Sequence, residues 1–160
     1  MRSFPILCAL LACVTLAPAQ TYFFETFDSN NNGWTLGTDW GIGPATASAG
    51  ETYGNPDPDT DAAGVLGGGV AGVVIGGNAP VSVHPYYYIE SPPIDTAGAS
   101  NLTLAFDRWL NSDYTNFMQN EIQVFNGAWQ TIWETGGSPG VQDSSWSPQS
   151  YDITNYAHKA

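Results

Sequence analysis

Three aspartates, Asp57, Asp59 and Asp61, occupy alternate positions in the stretch GNPDPDTDAAG, residues 54–64. Carboxylates spaced this way in a Pro- and Gly-rich loop can converge on a hard cation. Ca²⁺ takes about six to eight oxygens in flexible geometry, backbone carbonyls among them. The spacing opens like the D-x-D-x-D start of an EF-hand. Ala62, however, stands where that loop needs glycine, and Gly68 where it needs a bidentate glutamate. An EF-hand is therefore excluded. Two readings stay open: a solvated acidic loop, or carboxylates held together by bound Ca²⁺.

The other candidate chemistries are thinner. GGGVAG, residues 67–72, matches G-x-G-x-x-G in letters, but no helix follows it and no cation lies near it. The only histidines are His84 and His158, so a Ser-His-Asp triad has little to build on. Acids are plentiful enough for a glycosidase pair. Yet the stretch NEIQVF keeps only Glu121 of the E-x-D-x-E strand of sandwich-type glucanases, with Gln123 and Phe125 in the other two places. Arg108 is the one basic residue in the body of the chain, and a carboxylate partner is its simplest role. Trp34, Trp40, Trp109, Trp129, Trp133 and Trp146 could stack on sugars, although such side chains more commonly fill an inter-sheet core. Asn101-Leu102-Thr103 is a glycosylation sequon at the start of a strand.

These residues must be positioned by strands, because no window of helical length keeps an apolar 3.6 period. Short runs of β-branched and aromatic residues recur between turn residues, which is an all-β pattern. Strands are expected in 21–27, 34–43, 64–77, 86–94, 101–110, 120–134 and 145–157. In 101–110, Leu102, Leu104, Phe106, Arg108 and Leu110 share one face, opposite Thr103, Ala105, Asp107 and Trp109. Asn126-Gly127 predicts a two-residue hairpin turn. Strands at this spacing predict an antiparallel two-sheet β-sandwich.

Residues 1–19 read as a secretory signal, with Arg2, an apolar run from Phe4 to Leu16 and a small-x-small end at Ala17-Pro18-Ala19. A lipid anchor at Cys13 is the rival. Residues 20–160 then form a single domain on the cell surface or outside the cell. Both cysteines, Cys8 and Cys13, fall in the leader, which leaves the domain without thiol or disulfide. The whole chain has 15 acidic and 3 basic residues, a formal charge of −12. That surface repels nucleic acid and anionic membrane. The aromatic content argues against an acidic disordered chain.

Read in order, FETFDSNNNGWT, GNPDPDTDAAGVLG, YYYIESPPIDTAGASNLTLAFDRWL, an N-G-x-W-x-x-I-W hairpin and DSSW…YDIT resemble extracellular jelly-roll modules. The likeness is to MAM-like and cleaved-adhesin-like domains of secreted bacterial proteins, over about residues 22–157. It implies a concanavalin-like jelly roll that binds a glycan or an extracellular protein without catalysis. It also implies a structural Ca²⁺ held by Glu25, Asp28, Asp57, Asp59 and Asp61. Trp109, Asp113 and Tyr114 are the candidate ligand contacts. Such modules continue past the YDIT strand, so the chain is expected to lack its last strand or strands. The alternative function is a polysaccharide-active enzyme or an accessory domain of a secreted hydrolase.

Overall fold

The computed structural model describes residues 20–156. The expected leader 1–19, with Cys8 and Cys13, lies outside the described residues, as do His158 and Lys159. Ten strands follow one another with no α-helix among the described residues: β1 Thr35–Leu36, β2 Trp40–Pro44, β3 Gly69–Val73, β4 Ile89–Glu90, β5 Thr103–Arg108, β6 Asn111–Ser112, β7 Glu121–Phe125, β8 Trp129–Glu134, β9 Val141–Gln142 and β10 Ser147–Asp152. A 3₁₀ turn, Thr154–Tyr156, closes the described part. The fold is all-β, as the residue pattern predicts.

The strands pair into five two-stranded antiparallel sheets, none of them closed. Their order is nested. β2 pairs with β3 inside the pair β1–β4. Farther along, β7 pairs with β8 inside β6–β9, which lies inside β5–β10. The chain therefore makes two concentric arches, 35–90 and 103–152.

The alternation read from residues 101–110 is present in β5, where Leu104, Phe106 and Arg108 turn inward and Thr103, Ala105 and Asp107 face solvent. β10 alternates in step, so that Tyr151 lies opposite Leu104 and Gln149 opposite Phe106. The Phe106 and Tyr151 rings stack diagonally across this ladder at 6.2 Å. Ala45 and Leu102 are the buried apolar side chains among the described residues. The rest of the interior is shared by half-buried aromatic and aliphatic side chains.

Three expectations are corrected. Residues 21–27 form no strand: the Glu25 carboxylate accepts from the backbone N–H groups of Thr26 and Phe27, and Phe27 has φ 58°. Donors captured by a side chain cannot serve a ladder. The run 34–43 splits into β1 and β2 at a turn where Asp39 has φ 60°. The hairpin at 120–134 forms, but Phe125 pairs with Trp129, which leaves three loop residues, Asn126, Gly127 and Ala128, rather than two. A register shift between Ile122 and Gln123 then leaves Ile132 and Trp133 both half-buried.

Candidate ligand-binding cleft

A cleft of about 620 Å³ opens between the two arches. One wall is the β2–β3 ladder, with Trp40 and Val70–Val73. The other is the segment that follows β5 and includes β6, with Trp109, Asn111 and Ser112. Alternation breaks where β5 ends at Arg108, so Trp109 is half-buried instead of facing out. Its ring meets Trp146 edge-on at 6.0 Å. The indole N–H of Trp146 donates to the carbonyl of Thr60 at 3.0 Å, which ties the acidic loop to this wall. The indole nitrogens of Trp40 and Trp109 are buried and have no acceptor. A buried N–H left unpaired costs about 1–3 kcal/mol, so both are unmet donors.

Trp40 is set by a strained corner. Asp39 (φ 60°) and Val74 (φ 51°) flank the β2–β3 ladder, and Val74 N–H donates to the Asp39 carbonyl at 2.9 Å. A β-branched residue at positive φ is uncommon, and such strain gathers where geometry serves function.

Asn111 fixes the rim. Its Oδ1 accepts from the Asn55 N–H at 2.8 Å, and its Nδ2 donates to the Asp143 carbonyl at 3.2 Å. Gly54 (φ 77°) leaves room for it, since a Cβ there would sit 2.5 Å from Asn111 Oδ1. The Tyr53 hydroxyl donates to the Pro139 carbonyl. Arg108 stands behind the wall, bidentate to Asp143 at 2.9 and 3.2 Å and 5.1 Å above the Trp133 ring. The carboxylate partner expected for Arg108 is thus Asp143.

The acidic loop folds as a small hairpin. Thr60 bridges Leu66, Asp61 N–H donates to the Val65 carbonyl, and Gly67 N–H donates to the Asp59 carbonyl. Asp61 Oδ1 caps the turn by accepting from Val65 N–H at 2.8 Å, and its carboxylate covers Gly68. Asp59 is exposed. Asp57 leaves in another direction and lines the cleft, held by Ser48: Asp57 N–H donates to Ser48 Oγ at 2.8 Å, and Ser48 N–H to the Asp57 carbonyl at 3.3 Å.

Glu25 is occupied elsewhere. Its two oxygens accept from Thr26 N–H, Phe27 N–H, Asn32 Nδ2 and Trp34 Nε1, all at 2.8–2.9 Å. Burial acts upward on its pKa, but these bonds together hold the carboxyl below its usual range. Asp28 is exposed and accepts from Thr26 Oγ1. The backbone of Phe27 and Asp28 does press on Gly69, beside the glycine that Asp61 covers. The first segment and the acidic loop therefore meet at Gly68-Gly69, the first through the backbone of residues 26–28 and the second through the Asp61 carboxylate. Among the described residues no group of three or more His, Cys, Asp or Glu is gathered as a metal site would need.

Trp109 and Asp113, two of the expected ligand contacts, line the cleft. Tyr114 packs edge-on against Phe117 at 5.0 Å. Tyr53, Asn55 and Asn111 are cleft residues that sequence reasoning missed, and only the turn residues Gly54-Asn55-Pro56 hinted at the first two. Glu121 and Glu134 lie directly opposite on β7 and β8. Glu121 accepts from Thr131, Gln123, Tyr86 and Gln119. The Thr131 hydroxyl above all, against some burial, draws its pKa below the ordinary range.

The chain matches no protein-family model, no curated protein and no solved structure. The chemistry of the cleft must speak for itself. Aromatic faces, side-chain amides and carboxylates together suit a ligand with apolar C–H faces and many hydroxyls. No described helix is long and apolar enough to cross a membrane.

Proposed function

We propose that the protein is a non-catalytic, extracellular binding module whose cleft takes an oligosaccharide. The observation that carries this reading is a roomy cleft lined by Trp40, Trp109 and Trp146, with two indole donors lacking acceptors. The aromatic rings would cover sugar C–H faces, and an indole donor uncovered by a small shift of its neighbours would gain a sugar hydroxyl as acceptor. The strained corner that sets Trp40 favours the same reading.

The nested pairing of β5–β10 around β6–β9 and β7–β8 supports a jelly-roll sandwich as the finer architecture, because a jelly roll is a long antiparallel hairpin wrapped on itself. It also favours the likeness to MAM-like and adhesin-like modules.

The test is glycan-array screening followed by calorimetry on the best oligosaccharide. Trp109→Ala is expected to weaken binding about tenfold or more, while Trp129→Ala, on the exposed hairpin tip, leaves it unchanged. Equal losses in the two variants, or no retained glycan, sink the proposal.

A Ca²⁺ ion belongs to the same reading at the Gly68-Gly69 junction alone, where the Asp61 carboxylate lies over Gly68 and the backbone of residues 26–28, with the Thr26 carbonyl, lies over Gly69. A metal bound only by the folded state raises its stability by mass action. Thermal melting is expected to shift upward with added calcium and back in EDTA. Asp61→Asn is expected to remove the shift, and an identical midpoint in both buffers removes the ion from the proposal.

A further inference from the structure

Glu51, Asp57 and Asp113 line the cleft, and no basic side chain does. Arg108, the single Lys or Arg among the described residues, is already committed to Asp143. Within the cleft, exposed Glu51 accepts from Asn78, and part-buried Asp113 accepts from Tyr114 N–H. Asp57 is part-buried and is pinned through its own backbone to Ser48. It lines the same cleft as Trp40, Trp109 and Trp146, and no protein cation lines that cleft to balance its charge. Low-dielectric walls lined with one sign of charge concentrate ions of the opposite sign. Trp40 and Trp109, which line the same cleft, each carry an indole donor without an acceptor, an observation independent of the charge.

We infer that the cleft takes a cationic sugar: an oligosaccharide bearing free primary amines, in preference to its neutral counterpart and to the exclusion of uronic or sulfated chains. The inference rests on the glycan reading above and names the charge class of that ligand. The ammonium group pairs with Asp57, while the sugar faces lie against Trp109 and Trp146. Ammonium over an aromatic face adds a further attraction. Burial pushes the Asp57 carboxyl above its ordinary range, against the hydrogen bond from Ser48. An adjacent cation would draw it back down.

The experiment is calorimetry of the whole protein at about pH 6 and about 0.15 M salt with three probes of equal length: a glucosamine hexamer, cellohexaose and a hexagalacturonate. The glucosamine hexamer is expected to bind at least tenfold tighter than cellohexaose, with no binding of the uronate. Asp57→Asn is expected to bring the ratio of the first two close to one. A ratio that survives Asp57→Asn would come from the overall charge of −12 rather than the cleft and overturns the inference. Equal affinity of wild type for glucosamine hexamer and cellohexaose also overturns it, while leaving the glycan reading intact. Failure of every oligosaccharide, here and on the array, takes down both.

Discussion

Asp143→Ala is expected to destabilise the protein by about 3 kcal/mol, read as a lowered midpoint in urea denaturation. Asp143 does two things at once. It pairs with Arg108 in a bidentate contact in which the side chains are only 11% and 17% exposed, and its Oδ2 accepts the Leu110 N–H at 2.9 Å. Alanine leaves the guanidinium part-buried without its counter-charge and strips the acceptor from a backbone donor just past the end of β5. Removing one partner of a buried pair costs more than the pair itself contributes, because the survivor stays desolvated. The Trp133 ring beneath Arg108 offsets a little of the loss through its π face. Asp143→Asn keeps an acceptor for Leu110 and is expected to cost about half as much. A change below about 0.5 kcal/mol in Asp143→Ala would show that the contact is too solvated to matter.

The second large effect is expected at Gly140. Its φ is 84°, which costs a side-chain-bearing residue about 1–2 kcal/mol by itself. A Cβ there would also overlap the Ser112 carbonyl and the backbone of Asp113 and Tyr114. That backbone cannot yield locally, because Ser112 is paired with Val141 and Asn111 with Gln142. Gly140→Ala is therefore expected to cost about 3 kcal/mol or more, by strain plus overpacking. Gly136 separates the two causes. It has φ 77° with nothing within 4 Å of its would-be Cβ, so Gly136→Ala is expected to cost only about 1 kcal/mol. Equal losses at the two positions, measured by the same denaturation, would refute the clash. Since Asn111 and Ser112 form one wall of the cleft, ligand binding is expected to fall with Gly140→Ala as well.

How much could be read from the residues alone depended on whether local pattern or distant contact decided each element. The inward face of β5 and the hairpin around Asn126-Gly127 are local, and both stood in the sequence as period-2 alternation and a turn pair. β6 and β9 are two residues each, and no two-residue stretch carries a period. Residues 21–27 look like a strand, but one carboxylate, Glu25, takes the donors a ladder would need. The acids teach a similar lesson. Asp57 and Asp61 are four residues apart in the chain, yet Ser48 draws the first toward the cleft while Val65 turns the second back over Gly68. Spacing revealed the charge density and not its direction. The tryptophans were visible as candidates, but which of them would line one cleft depended on the pairing of strands far apart in the chain, which sets Trp40 and Trp109, about 70 residues apart, on its two walls.

The concentric pairing also governs the order in which the second arch can assemble. Joining β5 to β10 directly would close a long loop, and that entropic toll grows with the length enclosed. Starting from the tight bend at Asn126-Gly127 avoids it. Once β7 and β8 zip together, within microseconds for a hairpin, the ends of β6 and β9 are already near one another. Their closure delivers β5 to β10 in turn. Each rung thereby shortens the remaining search, so a polypeptide rich in long-range contacts can fold as though its contacts were local.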